Sequence, residues 1–357
     1  MNHIGQPIIV KRINASLINE WEQELQKFDY SMFISSQWLR AVESIGIETI
    51  FLDFEKDGMV IAKLAGTVLW NGKIKGRQLY FYATPAILQE NIEDLDECHL
   101  SLKKWATKEG FSRITLSYYD QRTEKLGTLK GYYKKPGIQY IINFNAANGY
   151  KKYTKGFRQN VRNAEMHEAI FKEGTSEEIL DKMLLLMDCT HQHRVKKYHL
   201  QYKALYLKNL NKQVLLYLLN SGVGTMYYVE LNGEIDCIQF LVNINNRTYA
   251  LLIGSNQTAY QHGLAAFIDD NIIKICKNSA IEYYNLGVSP LDEGGKGMIQ
   301  YKKSMGAMPH QCTVLNTNFL GYPRAFLNII LLIKRPIAYF EGGLRGFVRK
   351  LISAKLK

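Results

Sequence analysis

The stretch from Val223 to Val242, VGTMYYVELNGEIDCIQFLV, decides the fold class. Asn232-Gly233 is a strong two-residue hairpin signal, so the apolar runs on either side predict two antiparallel strands, Val223 to Leu231 and Glu234 to Val242. A third strand is predicted from Thr248 to Ser255, after a short polar connection. This part of the chain is therefore expected to begin as an antiparallel sheet.

A helix is predicted from Gly263 to Lys277, because its apolar residues recur at helical spacing: Leu264, Phe267, Ile268, Ile272, Ile275 and Cys276. A strand from Ile281 to Val288, a Gly-rich loop, a short helix at Met298 to Met305 and a strand near Cys312 to Leu315 follow. A strand-helix-strand unit normally makes parallel neighbours, so a mixed α/β (α+β) sheet is expected. The order β-β-β-α-β-α-β is that of acetyltransferase-fold domains.

The first part of the chain is compatible with the same plan. Its predicted helices are Ala15 to Phe28, Ser35 to Ser44 and Leu95 to Glu109, and its predicted strands are Glu48 to Phe54, Met59 to Leu69, Gln78 to Tyr82, Ser112 to Tyr119 and Gly137 to Phe144. We therefore expect two tandem units of this kind. The predicted domains are 1–150, then 151–318 with a helical connector at its start, then a tail at 319–357.

The connector is predicted to hold two helices. One is basic and runs from Tyr153 to Glu168, and the other opens at a capping box formed by Thr175 and Glu178. The second helix presents Leu180, Met183, Leu184 and Met187 on one face.

Composition limits the class of protein. The chain has 357 residues, of which 46% are hydrophobic and 22% are charged, values that are typical of folded domains. It shows neither a signal-peptide pattern nor the ~20 consecutive apolar residues that span a bilayer, so a cytoplasmic protein is expected. Five widely spaced cysteines without a C-x-x-C pair predict neither disulfides nor a metal site.

Positive charge is concentrated at the end of the chain. The formal net charge is +12, and the segment from Phe319 to Lys357 contributes +7 of it. Residues 342–357 predict a basic amphipathic helix, which either contacts an anionic membrane face or packs on its own domain. A polyanionic partner is indicated, and RNA, an anionic bilayer and a phosphorylated small molecule all fit the charge.

Two stretches resemble FemAB-like proteins of the GNAT acetyltransferase fold. YNLGVSPLDEGGKGMIQYKKSMGA, from Tyr284 to Ala307, is similar to their closing motif, in which an aromatic-Lys-x-x-aromatic-Gly signature follows a loop. The match is Tyr301-Lys302-Lys303-Ser304-Met305-Gly306, with Met305 in place of the second aromatic residue. KGFRQNVRNAEMHEA, from Lys155 to Ala169, is similar to their basic connector helix.

The resemblance implies an acyltransferase that moves an acyl or aminoacyl group to an amine of a cell-envelope or glycan precursor, which is either a small molecule or a lipid-linked acceptor. Such a reaction needs no covalent nucleophile, in agreement with the lack of a Ser-His-Asp or Cys-His signature. The implied donors are acyl-CoA, favoured because the chain lacks a coiled-coil arm, and aminoacyl-tRNA, favoured by an imperfect phosphate loop. The alternative is a non-catalytic binding module for RNA or a membrane surface on a decayed transferase fold.

Lys302 is the first catalytic candidate, because by resemblance it faces the cleft and binds a phosphate or the developing oxyanion. A solvated lysine beside Lys303 is the other interpretation. For the donor, Tyr260, Gly263 and Ala265 partly match a phosphate-binding pattern at a helix start, although the same residues also fit an ordinary turn.

Other candidates border the predicted cleft. Gln239 is assigned to the donor side and Asn285 to catalysis, and each also fits a buried, satisfied polar group. Arg158 and Arg162 are four residues apart on one helix face and, with Tyr301, are predicted to bind an anionic acceptor; a solvated basic face is the alternative. His191, in a loop HQHRVKKYH with His193 and His199, is a general-base candidate without a metal-ligand pattern.

Overall fold

The computed structural model of the protein describes residues 7–123, 129–198, 205–289, 295–329 and 331, with backbone alone at 193, 194 and 196–198. The chain forms two compact units. Unit 1 comprises Met1–Ser36, Ile47–Pro136 and Cys312–Lys357, and unit 2 comprises Gln37–Gly46 and Gly137–Gln311.

The helices of the described residues are α1 Ile18–Leu25, α2 Ser36–Glu43, α3 Gly72–Lys75, α4 Leu95–Lys108, α5 Lys155–Met166, α6 Glu177–Tyr198, α7 Lys212–Asn220, α8 Gln257–His262, α9 Leu264–Asn278 and α10 Lys296–Ser304. The strands are β1 Ile9–Arg12, β2 Thr49–Lys56, β3 Met59–Trp70, β4 Arg77–Phe81, β5 Ala86–Ile87, β6 Arg113–Leu116, β7 Tyr132–Asn143, β8 Ile170–Gly174, β9 Gly224–Leu231, β10 Glu234–Ile244, β11 Arg247–Ser255, β12 Tyr283–Ser289 and β13 Met308–Thr317.

Unit 1 contains strands in the order β1-β2-β3-β4-β6-β13, with β5 paired to β3. The β2–β3 turn is Asp57-Gly58, whose φ angles of 52° and 78° match the left-handed turn that a tight hairpin requires. β4 and β6 are parallel, and β13 joins β6 antiparallel through Leu315 and Leu116.

Unit 2 contains strands in the order β7-β12-β11-β10-β9-β8. The predicted hairpin turn is confirmed: Asn232 and Gly233 have φ of 52° and 82°, and Leu231 pairs with Glu234. Helices cover both faces of the sheet. Ile253 of β11 packs into the core shared with α5 and α9, whereas the adjacent Gly254 faces α6, because successive strand residues point to opposite faces.

The expected class, a mixed α/β fold, is confirmed, and most predicted elements lie within a few residues of their expected bounds. Two strands pair outside the unit whose strands they follow in sequence. β7 follows the strands of unit 1 along the chain but pairs with β12 in unit 2. β13 follows the strands of unit 2 but pairs with β6 in unit 1. The predicted domain boundaries at 150 and 318 stay predictions.

Three local expectations are wrong. The connector includes a strand, β8, which pairs antiparallel with β9. The stretch with His191 and His193 is helical rather than a loop, because α6 continues to Tyr198; His199 lies outside the described residues. Ser176 rather than Thr175 caps α6, since its Oγ accepts the Ile179 N–H at 3.4 Å.

The predicted basic helix at 342–357 lies outside the described residues. Within the described ranges, none of the helices combines the length and the apolar character that crossing a bilayer requires.

Candidate active site

The two central parallel strands of unit 2 separate after a short common stretch. β11 and β12 pair only where Arg247–Tyr249 meets Tyr283–Asn285, although β11 continues to Ser255 and β12 to Ser289. In the antiparallel pairing with β10, Leu252 lies opposite Phe240 and Ala250 lies opposite Leu241. Leu251 is therefore an extra residue, a β-bulge that bends β11 just past its last pair with β12. Past Tyr249 and Asn285 the two strands are no longer paired with each other.

The corresponding parallel pair of unit 1 stays closed. β4 and β6 pair from Gln78 and Arg113 to Phe81 and Leu116. The ladder then continues, because the Tyr119 N–H donates to the Tyr82 carbonyl at 2.9 Å. Of the two described parallel pairs, only the one in unit 2 opens.

A bulge in β12 lies at the open end of this pair. The register against β7 shifts between Asn285 and Val288, and Gly287 has φ of 72°. The bulge is held by Asn285, whose Oδ1 accepts the Gly287 N–H at 2.8 Å and whose Nδ2 donates to Gln139 Oε1 at 3.1 Å. A Cβ at Gly287 would lie 2.9 Å from the Tyr249 hydroxyl, so this site requires glycine for its φ and for space.

Lys302 fastens α10 to the same bulge. Its side chain is only 7% exposed, and Nζ donates to the carbonyl oxygens of Gly287 at 2.9 Å and Val288 at 3.3 Å. The neighbouring Lys303 is exposed. The interpretation of Lys302 as a solvated helix lysine is therefore wrong, because the ammonium is buried against β12.

Next to Lys302 lies a buried network centred on Asp269 of α9. Tyr284 donates to Asp269 Oδ1 at 3.1 Å, and Tyr301 donates to Oδ2 at 2.7 Å. Gln239 Nε2 donates to the Tyr284 hydroxyl at 2.6 Å. Burial raises the pKa of Asp269, while hydrogen bonds from Tyr301, Gln239 and Tyr284 and the charge of Lys302 act in the opposite direction.

The two tyrosines of this network remain protonated donors. Burial, followed by the negative charge of Asp269, raises the pKa of Tyr284 and of Tyr301 well above the ordinary value. Each hydroxyl can therefore donate a hydrogen bond to Asp269 across the whole physiological pH range.

Tyr301 also lines a cleft between the start of α5 and the length of α10. The cleft has a volume of about 350 Å³, and its other lining residues are Thr154, Gly156, Phe157, Asn160, Gly297, Gln300 and Ser304. Tyr301 thus connects a solvent-accessible space with the buried carboxylate of Asp269. Arg158 and Arg162 are exposed on α5, whose apolar side, Phe157, Val161 and Ala164, is buried in the core of unit 2.

The predicted donor-phosphate residues lie at the junction of α8 and α9. Gly263 ends α8 with φ of 71°, and a Cβ there would lie 2.5 Å from the Asn160 carbonyl oxygen of α5. Tyr260 is exposed and Ala265 is partly buried. The glycine thus permits close packing of α5 onto this junction; a role for these three residues in donor binding stays a prediction.

The remaining candidate is His191. It is partly exposed on α6, and its role as a base stays a prediction. In the described part of the chain, no three His, Cys, Asp or Glu side chains come together as metal ligands.

Asp269 is the site residue that sequence reasoning missed. It precedes Ile272 by three residues and Cys276 by seven, so it lies on the apolar face of α9. A carboxylate that is buried on such a face needs hydrogen-bond partners. An Asp within the apolar pattern of a predicted helix was therefore the sequence signal for a buried polar network.

No family model matches the chain, and no curated protein matches it in sequence. The fold defines the class: a tandem acetyltransferase-like architecture. Among solved structures, FemX matches with a TM-score of 0.64 and 13% identity over 90% of this chain and 99% of its own. L-PGS from Bacillus licheniformis matches with a TM-score of 0.55 and 14% identity over 94% and 100%.

A tandem GNAT protein from the clavulanic acid biosynthesis pathway matches with a TM-score of 0.50 and 9% identity over 88% of this chain and 99% of its own. At these identities the likeness is one of fold. It confirms the tandem acetyltransferase fold that the sequence motifs implied.

Proposed function

We propose that the protein is an N-acyltransferase whose reaction takes place where β11 and β12 separate. The observation that carries this proposal is the opening itself, next to a bulge held by a buried lysine. An extended, amide-bearing arm of an acyl donor can hydrogen-bond to the strand edges there, as an added strand does. The acetyltransferase-like fold shared with FemX supports the same class of reaction.

The residues around the opening suit acyl transfer to an amine. The amine nitrogen forms a bond to the acyl carbon, the carbonyl oxygen becomes an oxyanion, and the bond to the leaving sulfur or oxygen then breaks. The charge of Lys302 stabilises the oxyanion, and it also holds the bulge in place. The proton lost by the amine passes through the Tyr301 hydroxyl to Asp269 and returns through the same hydroxyl to the leaving sulfur or oxygen.

The identities of the acyl donor and of the amine acceptor are a further part of the proposal. We propose acyl-CoA or aminoacyl-tRNA as donor and an amine of a cell-envelope or glycan precursor as acceptor. The exposed Arg158 and Arg162, close to the cleft residue Asn160 along α5, are suited to an anionic acceptor, since arginine binds phosphate bidentately.

The donor is tested by thermal unfolding of the full chain with acetyl-CoA, longer acyl-CoA esters, free CoA and aminoacylated tRNA. A ligand at about a hundred times its Kd stabilises the folded state by roughly 2.7 kcal/mol. A shift with CoA esters identifies a thioester donor, and a shift with aminoacylated tRNA identifies an aminoacyl donor. No shift with any of them would contradict the proposal and favour a non-catalytic binding module.

Lys302 and Lys303 provide a matched test of the chemistry. With the donor identified, transfer of its labelled acyl group to a panel of amines is followed. Lys302→Ala should lower the rate about a hundredfold or more, the usual effect of losing one oxyanion-stabilising group. Lys303→Ala, an exposed neighbour on α10, should leave the rate unchanged. Equal rates for both variants would exclude Lys302 from catalysis.

A further inference from the structure

The turn that joins β3 to β4 in unit 1 exposes large apolar side chains. Trp70 is 64% exposed and Ile74 is 70% exposed. Lys73 and Lys75 are exposed in the same turn, which is closed by a hydrogen bond from the Asn71 N–H to the Gly76 carbonyl at 3.2 Å. The turn therefore presents an aromatic and an aliphatic side chain together with two cations.

The segment that follows β13 extends this surface. Tyr322, Phe326 and Ile329 are each more than half exposed. The segment is adjacent to the turn, because a Cβ at Gly76 would lie 2.6 Å from Arg324 Nε, and because the Leu320 N–H donates to the carbonyl of Ser112. Ser112 Oγ in turn donates to the Arg77 carbonyl at 2.8 Å.

The charged side chains of this surface are all positive. Residues 70–77 and 319–331 include no Asp or Glu, and their cations are Lys73, Lys75, Arg77 and Arg324. Arg77 forms an ion pair with Glu48 at 3.2 Å, so the cations that we assign to the surface are the other three.

We propose that this surface, formed by Trp70, Ile74, Tyr322, Phe326 and Ile329 with Lys73, Lys75 and Arg324, docks the protein on an anionic phospholipid bilayer. Tryptophan and tyrosine favour the membrane interface, and lysines beside them reach the phosphate groups while their stems stay in the apolar layer. Exposed apolar area combined with positive charge is the physical requirement for interfacial binding. Charge complementarity therefore selects an anionic bilayer as the occupant.

Trp70 itself reports the contact. Trp21 and Trp38 are buried and Trp105 is partly buried, so Trp70 is the most exposed of the four. The full chain is mixed with vesicles of phosphatidylglycerol and phosphatidylcholine, or of phosphatidylcholine alone. We expect a blue shift of Trp emission and quenching by brominated lipid with the anionic vesicles, and neither change in Trp70→Phe.

Sedimentation with the same vesicles measures affinity without any dependence on acyl transfer. Lys73→Gln and Lys75→Gln should each weaken binding about fivefold, and Trp70→Ser with Ile74→Ser should weaken it more. Met59→Ser, at an equally exposed site where β3 begins, is the control and should bind like the unmodified chain.

Three results would overturn the proposal. One is a lack of binding to anionic vesicles, and another is equal binding to phosphatidylcholine alone. The third is binding that leaves Trp70 emission unchanged and resists all four substitutions, because contact would then occur elsewhere, for instance through the basic tail at 342–357.

Discussion

Lys302 makes two hydrogen bonds from α10 to backbone carbonyls of β12, and its neighbour Lys303 points to solvent. Lys302→Met keeps much of the side-chain volume but leaves the Gly287 and Val288 carbonyls without this donor. We expect the free energy of unfolding to fall by about 1–3 kcal/mol, whereas Lys303→Met should change it by less than about 0.5 kcal/mol. Urea denaturation of both variants measures the difference, and equal stabilities would contradict the structural role of Lys302.

Asp269 predicts a specific pH dependence of stability. Burial raises its pKa in the folded protein above the ordinary value of 3.8, so the folded state holds the proton more tightly than the unfolded state does. The resulting stabilisation is fully present below the unfolded pKa and is lost as pH rises through the folded pKa. The variant Asp269→Asn has no titratable side chain at this position and therefore lacks this pH-dependent stabilisation.

The measurement is the unfolding free energy of the unmodified chain minus that of Asp269→Asn, followed from about pH 4 to pH 8. We expect this difference to decrease as pH rises, because the other titrating groups are common to both proteins and cancel. A difference that stays constant or increases would show that the pKa of Asp269 is not raised.

The site was only partly predictable from sequence. The motif around Lys302 indicated that residue but did not indicate that its partners are backbone carbonyls of the β12 bulge. That bulge depends on the pairing of β12 with β7, which is more than a hundred residues distant in sequence. Gln239 and Asn285 are both buried, and their assigned roles in donor binding and catalysis stay predictions. Asp269 was missed because its tyrosine partners come from α10 and β12, which no local pattern connects to α9.

Helices α8 and α9 approach α5 closely where Gly263 faces Asn160. Gly263→Ala adds a Cβ 2.5 Å from the Asn160 carbonyl oxygen at φ of 71°, whereas Gly222→Ala has nearly the same φ, 73°, and nothing within 4 Å. The strained backbone should cost about 1–2 kcal/mol in both variants. The clash should cost Gly263→Ala a further 1–3 kcal/mol, approximately the range for overpacking.

Thermal unfolding of the two glycine variants separates backbone strain from packing. A similar loss of Tm in both would mean that α5 moves away from the α8–α9 junction at little cost. In that case the junction would have room for a ligand, and the predicted donor-phosphate role of Gly263 would gain support.

Elements defined by local chemistry were predicted well. Asn232-Gly233 and Asp57-Gly58 specify their hairpins because both positions of each turn require positive φ, and neighbouring strands then follow. β8 was missed because its sequence, IFKEG, is short and half polar, and its pairing with β9 stabilises it. The partner of β13 was not predictable, since an edge that accepts a strand is a property of the folded sheet.

Unit 1 needs a strand from the far end of the chain. A fragment of residues 1–150, the predicted first domain, lacks β13, so the outer edge of β6 would have no partner there. We expect this fragment to give poorly dispersed amide spectra, and co-expression with residues 151–357 to restore a folded complex. A well-dispersed spectrum of the fragment alone would show that 1–150 is an autonomous domain.

The pairing of β6 with β13 also has a consequence for synthesis on the ribosome. Thr115 and Asn316, which hydrogen-bond across these strands, are 201 positions apart. At about 5–20 residues per second, the later strand is made on the order of 10–40 s after the earlier one. Throughout that interval the nascent chain carries an open sheet edge at β6. Unit 1, although most of it is translated first, is therefore completed last. A chaperone that shields this edge would have the most time to act there.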